Sequence, residues 1–134
     1  MTTAYITHSD CLRHEMGSGH PERPERLAAI DGHMQSSGLI ASLRCLEAPL
    51  AHADDLKRVH HSGYVDLIFE RAPAEGAPGY VQLDPDTAMN SYSLGAARRA
   101  AGAGVLAVEE VMAGRAVNAF CAVRPCGHHA TLGR

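Results

Sequence analysis

Hydrophobic and polar positions change period several times along the 134 residues. Residues 3–7 are short, β-branched and aromatic, which predicts a buried strand leading into a polar loop over 8–20. A helix should follow. Pro24 suits its first turn, Glu22 and Glu25 favour its positive end, and Leu27, Ile30 and Met34 fall on one face before Ser36-Ser37-Gly38 stops it. Residues 43–46 predict a second strand, closed by Pro49. Asp54 and Asp55 then open a short helix carrying Leu56 and Val59, and Ser62 caps another with Tyr64, Val65, Ile68 and Phe69 turned inward.

Over 72–90 the pattern dissolves into Pro73, Pro78 and Pro85 beside Gly76 and Gly79, which predicts a long loop. The strongest periodicity lies beyond it. Leu94, Ala97, Ala101, Val105, Val108 and Met112 mark one face of a helix over 91–113, with Gly114 as the stop. Gly95, Gly102 and Gly104 each weaken such a helix by roughly 1 kcal/mol relative to Ala, so a close neighbour should need the space. Residues 117–123 are nearly continuously apolar, as in a strand buried on both faces of a parallel sheet. That strand runs into Arg124-Pro125-Cys126-Gly127-His128-His129. The fold class is therefore α/β with a parallel sheet, and ligands of such sheets bind outside the carboxyl ends of the strands.

Length and charge narrow the function. A chain of this size is one domain or part of a larger one. A net charge of -3 leaves no basic footprint for nucleic acid. No apolar run reaches the roughly 20 residues needed to cross a bilayer, and the first ten residues carry no export pattern, so the expected address is cytoplasmic with no membrane partner. Cys11, Cys45, Cys121 and Cys126 are unevenly spaced and are expected to be reduced. Eleven of the twelve basic residues are Arg, and Ala is abundant, a bias that points to a GC-rich bacterial genome.

The candidate chemistry sits at the far end. On an extended chain the rings of His128 and His129 would point to opposite sides, and only an irregular loop, which Gly127 permits, aims both into one pocket. Paired imidazoles can share acid and base duties in a hydrolysis, provided a group such as a divalent metal ion activates the attacking water.

Four segments occur in the order and spacing of the histone deacetylase superfamily: His20-Pro21-Glu22-Arg23-Pro24-Glu25-Arg26-Leu27, Asp84-Pro85-Asp86-Thr87, Ala100-Ala101-Gly102 and Arg124-Pro125-Cys126-Gly127-His128-His129-Ala130. The chain resembles that superfamily, with its bacterial acetylpolyamine deacetylases and acetoin-utilisation proteins, from about Tyr5 to Ala130. The resemblance implies a three-layer arginase/deacetylase-like fold and zinc-dependent hydrolysis of an acetamide on a protein lysine or a polyamine, giving amine and acetate. It implies that His129 is the principal general base and His128 its electrostatic partner. It likewise implies that Arg26 lines an inner acetate-release cavity and that Asp86 is a rim aspartate gripping substrate. The residues alone allow plainer roles: Arg26 pairing with Glu22, and Asp86 capping the turn around Thr87.

Two departures qualify the likeness. Cys126 stands where the family commonly has Pro, and members run more than twice as long, with their zinc ligands and transition-state Tyr downstream of the tandem histidines. A catalytic zinc needs about three protein ligands and an open position. The expectation is that residues 1–134 are the amino-terminal portion of a single deacetylase domain, cut after the tandem-His motif. Such a piece should bind no zinc by itself, be inactive alone and tend to self-associate through an uncovered sheet edge. Two other readings remain open: a non-catalytic deacetylase-like interaction domain, and a small metal-binding module built on Cys11-x-x-His14 with Cys126-x-His128. His60 and His61 are expected to be solvated or locally capping.

Overall fold

A computed structural model describes residues 2–134. The β-branched opening forms strand β1, Thr3–Thr7, with Ala4, Tyr5 and Ile6 all buried. A strand buried on both faces belongs in the middle of a parallel sheet. Accordingly β1 lies between β2 (Leu43–Glu47) and β5 (Asn118–Ala122), parallel to both, with Ile6 opposite Leu46 on one side and Cys121 on the other.

Parallel strands require long crossovers. The first is α1 (Glu25–Ser36), which ends at Gly38 in the left-handed conformation, φ 76°. The second contains α2 (Ala53–Lys57), α3 (Ser62–Arg71) and α4 (Ser93–Met112). Tyr5 and Ala122 pack with Leu27, Ile30 and Met34 of α1. Ala4 and Ile6, on the opposite face, pack with Ala103, Leu106 and Ala107 of α4. Alternation along β1 thus separates two helical layers across one sheet, the expected α/β class.

Four expectations about local structure need correction. Residues 72–90 are not one loop: β3 (Val81–Asp84) and β4 (Thr87–Met89) pair antiparallel within them. A two-residue reversal at Pro85-Asp86 suffices for such a ladder, and the Pro and Gly content masked it. Second, α4 is rotated from the apolar stripe read in the sequence. Its buried residues include Ser93, Ala96, Ala103 and Glu110, while Val105, Val108 and Met112 are exposed. Small side chains let the helix approach the sheet, and Glu110 is tolerated inside because the guanidinium Nε atoms of Arg44 and Arg115 lie 3.2 and 2.9 Å from its carboxylate.

Of the three glycines of α4, Gly102 alone meets a neighbour: a Cβ there would lie 1.9 Å from the Pro49 carbonyl oxygen, whereas Gly95 and Gly104 have nothing within 4 Å. Third, β5 is not buried on both faces. Among the described residues it pairs with β1 only, and Phe120 is half exposed. Finally, α3 starts at Ser62 with His61 in the cap position and no side-chain capping bond, and Val59 falls beyond α2, exposed. All four cysteines are free thiols. No helix among the described residues is long and apolar enough to cross a membrane.

Candidate active site

Just past the carboxyl end of β5, Arg124 is completely buried. A guanidinium cannot shed its charge, so burial demands acceptors on every side. Its Nε and Nη2 donate to the two carboxylate oxygens of Glu22 at 2.9 and 2.8 Å, a bidentate fork, while Nη1 donates to the backbone carbonyls of Cys11, at 2.7 Å, and His14. Burial pushes the Glu22 carboxyl up, but the hydrogen bonds and charge of Arg124 outweigh that and hold it below the usual carboxylate range. Glu22 therefore does not serve the start of α1, as its position ahead of that helix implied; it neutralises the cation at the end of the sheet.

His14 completes the cluster. Its Nδ1 lies 2.6 Å from Ser93 Oγ and its Nε2 3.5 Å from Glu22 Oε2. Burial, with the nearby Arg124 charge, lowers its pKa to about 4, so the ring is neutral near pH 7. A neutral ring carries one proton. The Ser93 hydroxyl donates to Asn90 Oδ1 at 2.9 Å, so the ring's proton sits on Nδ1 and is donated to Ser93 Oγ, while Nε2 has no hydrogen-bond partner among the described residues. Loop 8–24, the amino end of α4 and the end of β5 are thereby tied through one buried knot.

Beyond this knot the chain turns. The Ala130 amide donates to the Gly127 carbonyl at 3.0 Å, which puts His128 and His129 at the two central positions of the reversal. Their rings meet edge to face with centroids 4.2 Å apart. The turn brings the adjacent rings together, but on an exposed stretch rather than in the one pocket that the sequence reading required. Both residues are exposed, on the solvent side of the sheet's carboxyl end.

Arg26 reaches the base of the same loop: its Nη2 donates to the Val123 carbonyl and to Glu22 Oε1, both at 3.3 Å. The pairing with Glu22 exists but is secondary to that of Arg124. Asp86 sits at the tip of the β3–β4 hairpin, with its side chain exposed; its carbonyl accepts from His20 Nε2 at 3.2 Å. The residue that organises this turn is Asp84, whose Oδ1 accepts from the Asp86 amide at 2.8 Å, so the capping role anticipated for Asp86 belongs to Asp84.

Among the described residues no group of three or more His, Cys, Asp or Glu is arranged to hold a metal ion. His14 faces Ser93 and Glu22 and Cys11 is buried, while Cys126 and His128 lie on the exposed turn. The donors present do not fit a zinc site of either the catalytic or the small-module kind.

Arg124, Glu22 and His14 lie in motifs visible in the sequence, but none of those motifs marks the knot that they form. A usable signal was there: an Arg that ends an apolar strand must bring an acid with it, and Glu22 lies in the motif that opens the neighbouring helix.

Residues 20–134 match the family described as the histone deacetylase domain. A histone deacetylase-like amidohydrolase of Pseudomonas aeruginosa is 38% identical over 112 residues, spanning 84% of this chain and 28% of that protein. A probable deacetylase of Archaeoglobus fulgidus is 33% identical over 132 residues, 97% of this chain and 35% of that one. The crystal structure of the HDA15 HD domain superposes with a TM-score of 0.85 at 35% identity, over 98% of this chain and 37% of the other. The chain thus spans about a third of the length of the relatives it matches.

Proposed function

We propose that this chain, which belongs to the histone deacetylase family, is the amino-terminal portion of a deacetylase domain that hydrolyses acetylated amines, on protein lysine or a polyamine, in the cytoplasm. Water adds across the amide bond: its oxygen goes to the acetyl carbon, and the C–N bond breaks as the nitrogen takes a proton. The products are acetate and a free amine.

In this reading His129 removes the proton from water and His128 steadies the charge and returns a proton to the leaving amine. Arg26 draws the acetate product towards the base of the loop, and Asp86 at the hairpin tip engages the substrate. Zinc belongs to the complete domain, on ligands other than the residues described here, and the 134 residues alone do not turn over. The observation that carries the reading is the Gly127–Ala130 reversal, which holds two imidazoles 4.2 Å apart at the carboxyl end of a parallel sheet.

The free edge of β5 supports one further point: as an isolated polypeptide the chain self-associates there, where the complete domain supplies cover.

The test is to express the full reading frame and assay an acetyl-lysine peptide and an acetylpolyamine, with and without a chelator. Turnover that the chelator abolishes, that falls by roughly 10²-fold or more in His129→Ala and that survives in His33→Ala, on the exposed side of α1, supports the reading. Absence of turnover with either substrate at any added zinc concentration overturns it in favour of a non-catalytic interaction domain.

A further inference from the structure

We propose that His60 is a positioning residue that holds the tandem-histidine turn from its far side, so that the turn is clamped at both ends. This rests on the deacetylase reading for its catalytic consequence, though not for its structural one.

The near end of the turn is fixed by Arg124, buried and bonded to Glu22, Cys11 and His14. The far end has its own anchor. His60 Nδ1 lies 2.7 Å from the Thr131 carbonyl oxygen, and the His61 amide donates to the Leu132 carbonyl at 2.9 Å. Two successive donors at the α2–α3 junction thus meet two successive acceptors after the histidines. A carbonyl only accepts, so the His60 proton sits on Nδ1. The ring is further held by Tyr64, 5.4 Å away between centroids. A third tie, Arg134 to Asp84 at 3.3 Å, runs to the hairpin that carries Asp86.

Between the anchors, residues 126–130 are all exposed and, among the described residues, have only the Gly127–Ala130 backbone bond of their own. An exposed five-residue stretch with one internal bond keeps a defined shape only if its ends are held, and misplacing catalytic groups by about 1 Å can cost on the order of 100-fold in rate. The expectation that His60 is merely solvated or capping is therefore replaced: its ring reaches a segment 71 positions away in the chain.

The experiment uses the full reading frame and three proteins: wild type, His60→Ala, and His60→Asn, whose amide nitrogen occupies nearly the place of Nδ1. Hydrogen exchange followed by mass spectrometry reads the segment 126–134 without substrate; deacetylation kinetics and thermal melting are read in parallel. Expected for His60→Ala are at least tenfold faster exchange confined to 126–134, an unchanged melting temperature, and kcat lowered about tenfold with KM within twofold, all restored in His60→Asn. Unchanged exchange in His60→Ala overturns the clamp whether or not the wild type turns over, and faster exchange with undiminished kcat overturns the positioning role. A wild type that does not deacetylate defeats the functional reading, while the exchange comparison still decides whether His60 holds the turn.

Discussion

The two ways in which β5 meets its surroundings follow opposite physics. At its carboxyl end a guanidinium with no exposure makes four hydrogen bonds to three residues of loop 8–24. Along its free edge and the adjoining face of α4, carbon faces water: Val108 is 63% exposed and Met112 81%, beside an apolar groove of about 330 Å³ lined by Ala107, Val111 and Ala119. A buried charge lacking its partner costs roughly 3–5 kcal/mol, so the polar end has to be complete within the folded chain. Apolar exposure costs only about 25 cal/mol per Å², spread over many atoms, so that surface can stand open until something covers it. One end is all-or-none and the other graded.

That contrast can be broken at the polar end first. Glu22→Ala strands a buried cation and is expected to cost about 3–5 kcal/mol in urea unfolding, whereas replacing Glu22 and Arg124 together by Leu should cost less than the single change, because no charge remains inside. A double variant as damaged as Glu22→Ala would mean that charge burial is not what governs this end.

Acid tests the same knot. The folded His14 pKa of about 4 lies below the ordinary 6.5, so the unfolded chain binds a proton that the folded chain refuses. Stability from this group is complete above about pH 6.5 and falls as pH drops towards 4, by up to roughly 3 kcal/mol. Glu22, held below its ordinary value, adds a loss in the same direction at lower pH. Unfolding free energy measured from pH 7 to 4 should fall steeply, and His14→Gln should flatten the slope between pH 6.5 and 4.

The apolar side predicts smaller effects. Gly102→Ala drives a methyl into the Pro49 carbonyl and should cost about 1–3 kcal/mol, while Gly104→Ala, two residues on and in open space, should gain roughly 0.5–1 kcal/mol from the unfolded state. Opposite signs in thermal melts verify which face of α4 touches the chain. Smallest in stability is Val108→Asp with Met112→Asp, expected within about 0.5 kcal/mol per site. Sedimentation should nonetheless move towards monomer; an unchanged oligomer distribution would show that this face does not drive association.

How far these regions could be read from the sequence differs for the same reason. Strand β1, the helix after Pro24 and the length of α4 were legible because residue type and period decide them locally. The orientation of α4 was not: Val105, Val108 and Met112 continue the apolar stripe read from the sequence, but the short faces of Ala96, Ala103 and Gly102 permit the closer approach. The hairpin within 72–90 was hidden because its strands are only four and three residues long. The tandem histidines stood out as a motif, but the exposed reversal that pairs their rings was not legible: Gly127 has no positive φ there, and a Cβ on it would meet nothing within 4 Å. The Arg124 knot and the His60 contact join positions 102 and 71 residues apart, and no local pattern encodes such a meeting.

The order β2-β1-β5 also has a temporal side. Thr7 on the central strand bonds the carbonyl of Ala122, 115 positions later. At a synthesis rate of roughly 5–20 residues per second, the first strand made must wait on the order of ten seconds for the neighbour that closes its second side. Pairing at such separation is slow even once both strands exist. During translation one flank of β1 is therefore a vulnerable seam, which makes the nascent polypeptide a natural client for a chaperone at the ribosome exit.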